Sequence, residues 1–370
     1  MSVNYRSSVC ENVNGLNIHF LEAGFEDPNN PLVVLLHGFP ELAFSWRYII
    51  PSLAKQGFHV IAPDQRGFGK TTGWDNSYTN DLSSYHHTNL TKDIFDLVTA
   101  LGYKNVECII GHDAGAAVAA WSSLIYPNMY KSVIMMSAPF TGSLKIPIIS
   151  NMSSEKNSSA IAKDLANLNR PRKHYQDYYR TIEANDDLMK SDMGLRSFIR
   201  TYYYYKSADW AQNNPFKLES WIASELEKMP TYYIMDLNED MPETVSKVMP
   251  PNSYINSCEW LNEEDLTVYE IEYNRTGFQG GLNWYRAAVT SGNKKELNPY
   301  SGSKIHIPAL FIAGKQDWGP YQIPGALGAM QCEIADQKIP TEFIDHAGHW
   351  VQQENPSEVL RIIIKFLSNN

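Results

Sequence analysis

Short apolar runs separated by helix-like stretches limit what this chain can become more than any other feature. Leu32-Val33-Val34-Leu35-Leu36, His59-Val60-Ile61-Ala62, Val106-Glu107-Cys108-Ile109-Ile110 and Ser132-Val133-Ile134-Met135-Met136 are too short for helices and lack polar alternation. Runs of that kind are strands buried on both faces. Between them, 44–55, 89–101 and 114–125 read as helices, the second with Ile94, Leu97, Val98 and Leu101 on one face. A polar turn at 12–15 separates 7–11 from 16–22 and predicts an opening hairpin. Near Thr141 the rhythm stops. From there to about 295 the chain is helical, aromatic and polar by turns, and no buried strand stands out. Within it, Tyr202-Tyr203-Tyr204-Tyr205 reads as packing, and the Ser- and Asn-rich 150–160 as a mobile connection. The rhythm then resumes with strands at 309–313 and 341–344 and a closing helix at 357–367. The expectation is an α/β core of 1–140 and 296–370, its mostly parallel sheet covered by helices, interrupted by a helical insertion over 141–295.

Composition excludes several kinds of partner. A net charge of −10 and a pI near 5.5 argue against nucleic acid or an anionic membrane surface. No apolar run is long enough to span a membrane, and the polar first 14 residues lack the apolar segment of a secretory signal. Cys10, Cys108, Cys258 and Cys332 have neither close pairing nor metal-ligand spacing, as in a reduced cytoplasmic protein. His86 and His87 are adjacent, so on a helix they diverge, and no metal site is expected. No phosphate loop or dinucleotide fingerprint follows the first buried strand, so no cofactor is expected. A monomer or homodimer acting on a small molecule fits these limits.

The passage Gly111-His112-Asp113-Ala114-Gly115-Ala116 joins a predicted strand to a predicted helix. Small residues at 111, 115 and 116 permit a sharp turn that lifts the side chain of Asp113 above the sheet. The N–H of Ala114 then points at the same spot. An Asp there also suits a helix N-cap. Two further residues favour chemistry. Asp317, in Gly314-Lys315-Gln316-Asp317, ends one late strand, and His349, in Gly348-His349-Trp350, follows the last. In doubly wound sheets, sites form at those strand ends. The order nucleophile, acid, histidine is that of an α/β-hydrolase triad. Leu36-His37-Gly38-Phe39-Pro40 ends the first buried strand, so the N–H of Phe39 can face that of Ala114 as an oxyanion hole.

These segments, with Asp64-Gln65-Arg66-Gly67-Phe68-Gly69, resemble the soluble epoxide hydrolases of the α/β-hydrolase fold. The resemblance covers nearly the whole chain and is weakest over about 141–270. It implies an eight-stranded sheet, a helical lid and a cis bond between Phe39 and Pro40. It implies an alkyl-ester intermediate on Asp113, hydrolysed by water that His349 and Asp317 activate. Thr276-Gly277-Phe278-Gln279-Gly280-Gly281-Leu282-Asn283-Trp284-Tyr285-Arg286 is similar to the lid segment bearing one of two epoxide-binding tyrosines, which makes Tyr285 that residue. Tyr175-Gln176-Asp177-Tyr178-Tyr179 resembles the segment bearing the other, with Tyr175 first and Tyr178 or Tyr179 as alternatives. Phe39, Trp284 and Trp350 are the expected substrate contacts.

Position 114 departs from the family, which usually carries Trp there. With Ala114 and Phe39, neither residue offers the side-chain N–H that cradles a halide in haloalkane dehalogenases. The same change predicts a roomier or differently shaped pocket. A haloalkane or haloacid dehalogenase-type hydrolase is the second reading, and a non-catalytic receptor on this fold the third. A serine esterase is excluded because no Gly-X-Ser-X-Gly occurs.

Overall fold

The computed structural model describes residues 5–142 and 155–370, with side chains from 160 in the second stretch. Among the described residues there are ten strands: β1 Arg6–Val13, β2 Leu16–Ala23, β3 Leu32–Leu36, β4 His59–Pro63, β5 Cys108–His112, β6 Val133–Met136, β7 Arg172–His174, β8 Ile234–Asp236, β9 Ala309–Gly314 and β10 Thr341–Ile344. Eight form one sheet in the order β1-β2-β4-β3-β5-β6-β9-β10. β1 pairs antiparallel with β2, and β2 with β4; every later neighbour is parallel.

Alternation along the strands divides the core into two layers. Val34, Ile61, Ile109, Met135 and Phe311 face one way, against helices His87–Ala100 and Ala114–Ile125. Val33, Val60, Ile110, Ile134 and Ile312 face the other, against Ile50–Ala54 and Pro356–Ser368. This two-sided burial is why the strands read as unbroken apolar runs. Each fully buried Val, Leu or Ile contributes roughly 1.5–3 kcal/mol. The closing helix begins at Pro356, where a missing N–H costs nothing, and the Asn355 side chain accepts from Glu358 N.

Between β6 and β9 the chain leaves the sheet and builds a helical lid, whose buried side chains, including Tyr202, Leu226 and Leu282, join the first of the two layers. Three expectations need correction. The helix expected over 44–55 is split into a 3₁₀ turn, Ala43–Trp46, and a short helix, Ile50–Ala54. Pro51 has no N–H to donate backwards, so a helix can start there but not run through it. The lid also holds a small antiparallel pair, β7 with β8, too short to leave a periodic trace. The loose connection expected over 150–160 lies outside the described residues up to 154, and from Glu155 the chain is helical, Glu155–Ala166. Among the described residues, no helix is long and apolar enough to cross a membrane.

Candidate active site

β5 ends in a turn that holds Asp113 at φ 51° and ψ −119° before the helix Ala114–Ile125 starts. A non-glycine residue held at such angles costs on the order of 1–3 kcal/mol, and neighbours must enforce it. Gly115 is one enforcer: a Cβ there would lie 2.5 Å from the carbonyl oxygens of Leu36 and His37. Only glycine lets the helix start this close to the end of β3. Asp113 therefore projects from the sheet's carboxyl edge, where the loops after β3, β9 and β10 also converge.

Those loops supply the partners. Phe39 N–H donates to Asp113 Oδ1 at 3.1 Å, beside the cis Phe39–Pro40 bond. Asp113 Oδ2 lies 3.5 Å from His349 Nε2, and His349 Nδ1 lies 3.1 Å from Asp317 Oδ1. Asp317 Oδ1 also accepts from Gly319 N at 2.7 Å, while its Oδ2 is buried with no donor. Ala114 N–H, the first of its helix, makes no hydrogen bond to the resting carboxylate among the described residues. Burial pushes Asp113 up, but the His349 hydrogen bond and the charges of His349, Lys206 and His112 outweigh it. The carboxyl is held well below its usual range. Asp317 follows the same balance, with His349 as the largest opposing influence.

The backbone of His349 is pinned at both ends. Its N–H donates to Lys206 O at 2.9 Å, and its carbonyl accepts from His112 Nε2 at 2.7 Å and Ser137 Oγ at 3.1 Å. A carbonyl only accepts, so His112 Nε2 carries a hydrogen. Its Nδ1 lies 2.6 Å from Glu41 Oε2. Burial opposes charge on both groups, yet their mutual attraction holds Glu41 down and His112 up, which describes a buried ion pair. Glu354 ties the loop from outside: it accepts from Gly348 N and Ala208 N at 2.8 Å and from Trp350 N at 2.9 Å.

Opposite Asp113 stand the lid tyrosines. A cavity of about 230 Å³ is lined by Asp113, Phe39, Ala114, Tyr175, Trp284 and Tyr285 among others. Tyr285 sits on helix Gln279–Ala288, which approaches the Phe39 ring because position 281 is glycine; a Cβ there would meet Phe39 Cδ2 at 2.6 Å. Trp284 anchors that helix by donating to Arg66 O at 2.8 Å. Tyr175 opens helix Tyr175–Tyr179 after β7, and its hydroxyl contacts Gln322 Oε1 at 3.2 Å and Gln176 Nε2 at 3.1 Å. Burial pushes both phenols above their usual range. Tyr178 instead donates to Asp187, and Tyr179 to the hydroxyl of Tyr202. Neither lines the cavity.

Trp350, expected to touch substrate, is a correction. It is fully buried, stacked on Tyr203 at 4.1 Å, with its indole N–H on Tyr203 O, and it does not line this cavity. Glu41, His112, Glu354 and Lys206 were not singled out from the sequence. His112 directly precedes Asp113 and Glu41 directly follows the His-Gly-Phe-Pro turn, so adjacency was the available signal. For Lys206 it was a lone cation ending a run of four tyrosines.

Residues 31–356 match the α/β-hydrolase-fold family, and the chain belongs to it. Epoxide hydrolase B of Mycobacterium tuberculosis is 30% identical over 361 residues, spanning 96% of each chain. Epoxide hydrolase A from Mycobacterium thermoresistibile superposes with a TM-score of 0.76 at 29% identity, covering 99% of this chain and 98% of that one. An epoxide hydrolase from an endophytic Streptomyces gives a TM-score of 0.78 at 25% identity, covering 98% and 95%. Within the fold, then, this chain is a member of the epoxide hydrolases.

Proposed function

We propose that this protein converts an organic, mainly apolar epoxide to a vicinal diol through an alkyl ester on Asp113. The observation that carries the reading is one cavity lined by both the Asp113 carboxylate and the Tyr175 and Tyr285 rings, with His349 and Asp317 behind it. Asp113 Oδ1 is engaged by Phe39 N–H, which leaves Oδ2 to attack an epoxide carbon. The carbon–oxygen bond breaks, its electron pair goes to the epoxide oxygen, and a phenol of Tyr175 or Tyr285 supplies the proton. Such acid assistance is worth about 10²–10⁴ in rate. His349 then takes a proton from water, and the hydroxide attacks the ester carbon. The resulting oxyanion is stabilised by Phe39 N–H, joined by Ala114 N–H. Collapse breaks the acyl–oxygen bond, the imidazolium protonates the departing alkoxide, and the new carboxyl returns a proton to the phenolate.

We read 141–295 as the lid that excludes bulk water, and the protein as cytoplasmic, a reading supported by its four free cysteines. The dehalogenase reading is weaker, because Phe39 and Ala114 offer no side-chain donor for a halide. One turnover in heavy-oxygen water tests the choice. Label is expected in Asp113 and not in the first diol. His349→Gln is expected to trap the ester as a mass increase on the Asp113 peptide. Label appearing first in the diol, or halide release without diol formation, would overturn the proposal.

A further inference from the structure

The cavity over Asp113 has a second end. From Tyr285 its wall runs one turn along helix Gln279–Ala288 to Ala288 and Val289, and from Ala114 one turn along helix Ala114–Ile125 to Ala117. His87 and Leu90, a turn apart on helix His87–Ala100, line it as well. Two contacts place the imidazole of His87. Its ring lies 6.3 Å from that of Trp121, the next turn after Ala117, and its Nδ1 lies 3.3 Å from Oδ1 of Asn293, on the helix that follows Val289. His87 is therefore displaced from Asp113 by about one to two helical turns, roughly 5–11 Å. The adjacent His86 takes no part, being turned to Glu296 and Thr290.

The hydrogen bonds decide which ring nitrogen is bare. Asn293 Nδ2 donates to Ala288 O at 3.2 Å, which turns Oδ1 toward His87. There Oδ1 accepts from the His87 backbone N–H at 2.9 Å as well as from Nδ1. An amide oxygen only accepts, so Nδ1 carries the hydrogen, and a neutral ring leaves Nε2 as a bare acceptor. Burial pushes this imidazole below its usual range, which keeps it neutral. Nε2 has no hydrogen-bond partner among the described residues, and it stays reachable from the space that the ring lines. The indole N–H of Trp284 and the hydroxyl of Tyr85, also on this wall, are already spent on the carbonyls of Arg66 and Asp75.

We propose that His87 is a specificity residue: its Nε2 accepts a hydrogen bond from a hydroxyl carried at the far end of an otherwise apolar epoxide. The inference rests on the reading of Asp113 as nucleophile, because that reading fixes which end of the cavity holds the epoxide ring. The carbon chain then passes over Ala117 and Leu90, and its terminal hydroxyl meets the imidazole. A chain ending without a donor leaves Nε2 desolvated and unpaired, which is how a polar group in an apolar pocket discriminates.

The test uses three terminal epoxides: epoxyoctane with a hydroxyl on its last carbon, the methyl ether of that alcohol, and epoxyoctane itself. For each, kcat/KM is measured with the wild type, with His87→Leu, which keeps bulk without an acceptor, and with His87→Gln, which restores an acceptor oxygen. In the Leu variant the ratio of alcohol to ether is expected to fall about three- to tenfold, while the ratio of ether to alkane stays put. The Gln variant is expected to recover part of the alcohol preference. Loss of packing alone would lower all three together. A Leu variant that folds and keeps the wild-type ratio of alcohol to ether overturns the inference, as does an ether that loses as much as the alcohol. If the Leu variant fails to fold, His87→Met gives the same reading. Should the wild type open none of the three, the proposed function falls instead. Calorimetric titration of the alcohol and the ether then decides the inference alone, and equal changes in their affinities between wild type and variant overturn it.

Discussion

Replacing Glu41 by alanine removes the acceptor of four hydrogen bonds from a site with no water access. Gly38 N donates to Oε2 at 2.9 Å, and His112 Nδ1 lies 2.6 Å from the same atom. The amides of Gln352 and Gln353 donate to Oε1 at 2.9 and 3.3 Å. Removing one partner of a buried ion pair strands the other, at about 3–5 kcal/mol. At roughly 2 °C per kcal/mol for a chain of this size, the melting temperature is expected to fall by about 6–10 °C. The pH dependence has a definite sign. Glu41 is held down, so its contribution is present above about pH 4.3 and is lost as pH falls through its folded value. His112 is held up, so its contribution is full below about pH 6.5 and is lost as pH rises through its folded value. The gap between wild type and variant is therefore widest between those values. Thermal unfolding read by tryptophan fluorescence across pH 4 to 9 measures it. A gap below about 1 kcal/mol, or one that grows steadily toward alkaline pH, would refute the ion-pair account.

Two further predictions concern the cavity. Tyr285→Phe is expected to slow ester formation by about 10- to 100-fold while leaving ester hydrolysis and the melting temperature near wild type, measured by rapid quench. Because burial raises both phenols, the alkaline limb of ester formation is expected above about pH 10; a limb near about pH 8 would contradict the proton-donor role proposed for them. Ala114→Trp puts an indole into a cavity of about 230 Å³ and is expected to cut kcat/KM at least about tenfold for bulky epoxides, sparing small ones. Equal loss across substrate sizes would mean that Ala114 does not shape the pocket.

What could be read from the residues alone followed from how strongly each segment is constrained. Strands buried on both faces have to be apolar runs, so the sheet was legible, and with it the three strand ends that carry Asp113, Asp317 and His349. The turn at Asp113 was legible because helix and sheet meet too closely there for anything but small residues. The lid was less so. A three-residue strand such as Arg172–His174 has no room for a period, and Pro51 interrupts a pattern that looks continuous by hydrophobicity. Trp350 was misread because an aromatic beside the histidine serves substrate or packing equally well, and only the Tyr203 stack decides. Glu41 with His112, and the Lys206 carbonyl with His349 N–H, are meetings of residues far apart in sequence, and the local signal at each position names no partner.

The lid is sewn to the sheet beside its histidine: Lys206 O holds His349 N–H, and Glu354 grips Ala208 together with both neighbours of that histidine. A cover fastened at this seam has no freedom to lift there without dragging His349 out of line. Traffic of substrate and product must therefore use a different margin of the cover. Heat that loosens the seam should silence the enzyme before the molecule as a whole comes apart.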